Sequence, residues 1–89
     1  MNKPQDMNTG IQPLDAVMQE YGLKNHDLVT AVQPGFINHK QIQKARKGRR
    51  LTPRMQEKVV EALNAAIAPE EKPFEELFNY RGKKSLREE

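Results

Sequence analysis

Seven cationic side chains fall between Asp27 and Glu57 with no acidic residue among them: Lys40, Lys44, Arg46, Lys47, Arg49, Arg50 and Arg54. The stretch before them carries two basic and four acidic residues, and the stretch after them six and eight. A formal charge of +3 over 89 residues therefore resolves into +7 in the middle and −2 on either side. Ammonium and guanidinium groups gathered without carboxylate partners suit a surface of repeated anions, and a phosphate backbone is such a surface.

Other chemistries have weaker support. No Ser/His/Asp arrangement accompanies an oxyanion-type glycine motif, no glycine-rich loop could cradle a phosphate, and no carboxylate pair suggests acid–base work. The chain is therefore expected to be no enzyme and to need no cofactor. With no cysteine, a disulfide framework and a thiolate metal site are both excluded. His26 and His39 lack two further ligands at zinc spacing, so no metal is expected. RNA binders present aromatic rings for base stacking, and the one aromatic beside the basic stretch is Phe36.

The elements that must position these cations read as helices. Pro13 suits a first helical position, and Leu14, Val17, Met18 and Tyr21 recur at i, i+3, i+4 and i+7, a stripe closed by Gly22. A short second helix runs from about Asn25 or His26 to Val32, with Asn25 a plausible cap and Leu28, Val29 and Val32 inward; Pro34 and Gly35 stop it. Asn38 should cap a third helix over His39 to Lys47, with Ile42 and Ala45 inward and Gly48 ending it. His39, Lys40, Gln43, Lys44 and Lys47 then fall on its outer side, while Arg46 could tuck back toward the second helix. Thr52 and Pro53 open a fourth helix to about Ala68, lined by Met55, Val59, Leu63 and Ile67. A last short helix is expected from Pro73 to about Tyr80.

Together these features resemble the lambda-repressor-like (Xre-type) helix-turn-helix family. Leu28 and Val29 in the second helix, Ile37 after the turn, Ile42 in the third and Gly48 beyond it carry the resemblance, over about Leu14 to Ala68. The turn from Ala31 to Ile37 is about three residues longer than the three to four such motifs use. The resemblance implies an all-α fold of four to five short helices with the helix-turn-helix at the second and third. It implies sequence-specific binding of double-stranded DNA by a transcriptional regulator, with the third helix in the major groove. His39, Lys40, Gln43 and Lys44 would face base edges: lysine donates to guanine O6 and N7, and glutamine can pair with adenine N6 and N7. Asn25, Lys47, Arg49, Arg50 and Arg54 would hold phosphates. A protein-interaction adaptor and a non-specific nucleic-acid (RNA) binder remain alternatives on the same fold.

The expected organisation is a flexible arm over residues 1–10, a DNA-binding domain over 11–80 and a disordered tail over 81–89. Phe74, Leu77 and Phe78 form an apolar i, i+3, i+4 patch, which could dock on the domain's own core or mediate a homodimer. No apolar run is long enough to span a membrane and no signal peptide is evident, so a cytoplasmic location is expected.

Overall fold

Local signals place each helix in the computed structural model, which describes residues 10–80. Among these the chain is all-helical without a strand: α1 (Pro13–Glu20), α2 (Asn25–Ala31), α3 (His39–Lys47) and α4 (Pro53–Ile67), then a 3-10 turn at Phe74–Glu76. The arm expected over residues 1–10 and the tail expected over 81–89 lie outside the described residues, Gly10 excepted. Gly10 is packed against the end of α3 rather than standing apart in an arm.

α3 starts where Asn38 accepts from the Gln41 N–H at 2.8 Å while the Gln41 side chain accepts from the Asn38 N–H at 3.0 Å. Two of the helix's orphan donors are thereby satisfied. It ends at Gly48, whose φ of +91° lets its N–H fold back on the Lys44 and Ala45 carbonyls. The Arg46 carbonyl, left over at that end, accepts from the Gln12 N–H at 3.0 Å. A Cβ on Gly48 would stand 1.8 Å from the Gly10 carbonyl oxygen, so glycine is required twice over, by conformation and by contact. α4 is capped by Thr52, whose hydroxyl accepts from the Met55 N–H, with Pro53 at its first position.

Leu14 and Met18 of α1, Leu28 of α2, Ile37, Ile42 and Ala45 around α3, and Val59, Ala62, Leu63 and Ile67 of α4 form one buried core. Each large side chain so buried contributes roughly 1.5–3 kcal/mol. Residues 32–38 connect α2 to α3, longer than a tight helix-turn-helix turn. Phe36, in that connection, is only half-buried, and the Lys58 ammonium lies 5.3 Å from its ring centroid.

Two expectations need correction. The helix expected from Pro73 to Tyr80 is only the 3-10 turn at Phe74–Glu76. Its backbone groups are claimed by the rest of the fold: Leu77 O accepts from the Leu14 N–H at 2.9 Å, and the Asn79 N–H donates to Gln12 Oε1 at 2.8 Å. Second, Leu77 is wholly buried and Phe78 is 3% exposed, both in the chain's own core. With Phe74 packed beside them, the Phe74, Leu77 and Phe78 patch is not a free homodimer surface. Among the described residues no helix is long and apolar enough to cross a membrane.

Candidate nucleic-acid interface

The outer face of α3 follows from helical geometry. Ile42 and Ala45 point into the core, and Lys40, Gln43, Lys44 and Lys47 fall on the opposite side, all exposed. Lys44 and Lys47 with the exposed Arg49 and Arg50 continue this surface toward α4, where Arg54 is exposed in the first turn. Among the described residues Lys40, Lys44, Lys47, Arg49 and Arg54 form no ion pair, whereas Arg46 pairs with Asp15 and Lys72 with Glu76. The cations at the end of α3 also suit the negative end of its dipole, so this helix end tolerates them without carboxylates.

Arg46 is withdrawn from that surface. Its Nε donates to Asp15 Oδ1 at 2.6 Å, and a terminal guanidinium nitrogen donates to Asn25 Oδ1 at 2.8 Å. One side chain thus ties α3 to α1 and α2. Lys40, Lys44, Lys47, Arg49 and Arg54 stay on the exposed side.

Asn25 is not the cap of α2. Lys24 occupies that position, with its N–H bonded to the Asp27 carboxylate at 2.7 Å, and Asn25 is the first helical residue. Its carboxamide instead accepts from Arg46 and donates through Nδ2 to Gln43 Oε1 at 2.9 Å. Two residues expected at separate contacts, Asn25 at phosphate and Gln43 at a base, are therefore coupled.

His39 is coupled as well. Its Nε2 lies 3.3 Å from Nδ1 of His26, with the two ring planes within 15° of each other, so one imidazole donates and the other accepts. Both rings are exposed where α2 and α3 begin. Among the described residues no group of three or more His, Asp or Glu is placed to hold a metal ion.

Tyr80 has no role in the sequence reading, yet it braces the basic segment. Its hydroxyl accepts from the Leu51 N–H at 3.0 Å and donates to the Arg49 carbonyl at 2.9 Å. The Arg50 guanidinium lies 5.4 Å from its ring centroid, and the ring meets Phe78 edge-on. Partial burial raises the Tyr80 phenol above its ordinary 10.0, against the opposing Leu51 hydrogen bond, Arg50 charge and Gln56 contact. The fully buried Gln56 holds the same residue's backbone, donating to the Tyr80 carbonyl at 3.1 Å. No local pattern around residue 80 signals the bonds to Arg49, Leu51 and Gln56, because these partners are distant in sequence. Comparisons of the chain with protein-family models, with curated proteins and with solved structures found no match to any of them.

Proposed function

We propose that the protein binds double-stranded DNA sequence-specifically, with α2 and α3 acting as a lambda-repressor-like helix-turn-helix and α3 lying in the major groove, and that it regulates transcription. One observation carries the reading: a helix face of Lys40, Gln43, Lys44 and Lys47 that holds donors and no carboxylate, continued by Arg49, Arg50 and Arg54. With its side chains an α-helix such as α3 is about 10–12 Å across, which a groove ~12 Å wide admits. Lys40, Gln43 and Lys44 would meet base edges, joined by His39 from the pair it makes with His26. Lys47, Arg49, Arg50 and Arg54 would hold phosphates, which position the domain without reading sequence.

The experiment is selection from a random duplex library, then titration of the selected site at several salt concentrations. The four phosphate-holding cations predict a slope of log K against log salt of about −3.6, at −0.9 per phosphate. A recovered motif with that slope supports the reading. The same slope without a motif supports a non-specific nucleic-acid binder, and no binding at low salt removes nucleic acid altogether.

A further inference from the structure

We propose that a relay beginning at Asp15 fixes the polarity of the Gln43 carboxamide, so that Gln43 meets a base edge as a hydrogen-bond donor and selects guanine. The inference rests on the DNA-binding reading and adds a rule of specificity to it.

The relay follows from which groups can donate and which can accept. Arg46 is held by Asp15 and turns a second guanidinium nitrogen to Asn25. A guanidinium has five N–H donors and no acceptor. The Asn25 atom facing it must therefore be the carbonyl oxygen, which puts the Nδ2 amino group on the other branch. Nδ2 is a donor only, so the Gln43 atom 2.9 Å away must be Oε1. Each link dictates the next, and neither carboxamide is free to turn over. What Gln43 leaves to solvent is Nε2, which makes no hydrogen bond among the described residues.

A freely turning glutamine suits adenine, offering its oxygen to N6 and its amino group to N7. Here the oxygen is already engaged with α2, and the amino group leads. Guanine presents two acceptors side by side in the major groove, O6 and N7, and matches a leading donor better. Asn25 touches no base in this scheme. It acts through Gln43 as a positioning residue.

Duplex selection with the wild type, Gln43→Ala, Asn25→Asp and Asn25→Ala tests the relay. The wild type should prefer guanine over adenine by about tenfold at one position, and Gln43→Ala should lose that preference. In Asn25→Asp a carboxylate accepts from Arg46 and from Gln43 Nε2 alike, which turns the amide and puts Oε1 outward. The same position should then favour a base with an amino group, adenine or cytosine. Asn25→Ala releases Gln43, so the preference at that position should pass from guanine to adenine; this variant decides the matter if Asn25→Asp does not fold. A wild-type preference for adenine at the Gln43-dependent position, the absence of any such position, or a guanine preference that survives Asn25→Ala overturns the relay alone. A wild type that selects no motif overturns the DNA-binding reading and the relay with it.

Discussion

Arg46 and Asp15, 31 residues apart in sequence, form an ion pair with Nε 2.6 Å from Oδ1 and side chains only 19% and 23% exposed. The pair is shielded enough to resist screening, and Arg46 holds Asn25 as well, so its loss strands two acceptors. Arg46→Ala should destabilise the fold by about 2 kcal/mol, the worth of a charge-assisted hydrogen bond in such a setting. Urea denaturation of Arg46→Ala, Asp15→Ala and the double variant checks this. The double variant should be clearly less damaged than the sum of the two singles, because both remove one interaction.

Gly48 and Gly22 separate two costs that usually come together. Both have positive φ, +91° and +68°, but a Cβ at Gly22 meets nothing within 4 Å, whereas one at Gly48 meets the Gly10 backbone. Gly22→Ala should cost about 1–2 kcal/mol, the strain of a left-handed residue. Gly48→Ala should cost more than that, since residues 10–12 must also move off the end of α3. Equal losses of stability in the two variants would mean that the Gly10 contact contributes nothing.

The two ends of α3 and the start of α4 were legible because their causes are local. Asn38 with Gln41, Thr52 with Pro53, and Gly48 each lie within a few residues of the backbone groups they satisfy. The stripe of α4 was legible for the same reason. The site was legible in outline only. That Lys40 and Lys44 lie outward follows from one helix's period, but the engagement of Asn25, Gln43 and His39 depends on how α2 crosses α3. Tyr80 was invisible, because its bonds to Arg49 and Leu51 form only after the chain folds. Phe74, Leu77 and Phe78 misled: their helical spacing is real, but the turn closes only as far as the Phe78 N–H on the Phe74 carbonyl, and the Leu77 carbonyl and Asn79 N–H bond to Leu14 and Gln12.

Leu77 distinguishes a core residue from an interface residue. Its complete burial predicts that Leu77→Ala lowers stability by about 2–5 kcal/mol, as large-to-small core changes do. The oligomeric state at fixed concentration should not respond to the change. Denaturation and sedimentation of the same sample check both. A change in assembly with little loss of stability would restore the dimer reading of that patch.

Alkaline pH should weaken the fold through its tyrosines. Tyr80 is raised above 10.0 chiefly by burial, and Tyr21 chiefly by its hydrogen bond to the Glu70 carboxylate. A group whose folded value lies above its unfolded value binds its proton more tightly when folded. The stability it contributes is complete below pH 10 and is lost as the pH rises through the folded value. Denaturation at pH 8, 10 and 11 should show falling stability above 10, and Tyr80→Phe should flatten that fall. At pH 8 the same variant should be less stable by about 1–3 kcal/mol, because the Leu51 N–H and Arg49 carbonyl lose their partner.

Lys44 and Arg54 separate reading from gripping under the proposed function. Both are exposed cations without an ion pair among the described residues, so neither substitution should unfold the protein. Arg54 is the cleaner probe than Arg50, whose guanidinium lies over Tyr80. Arg54→Ala should weaken binding to every duplex alike and reduce the salt slope by about 0.9, one phosphate's share. Lys44→Ala should instead weaken the selected site by about 1–3 kcal/mol and leave binding to random duplex much less affected. The ratio of specific to random affinity, measured at one salt concentration, is the deciding quantity. If it is the same in both variants, α3 grips DNA without reading it, and the groove assignment of Lys44 is wrong.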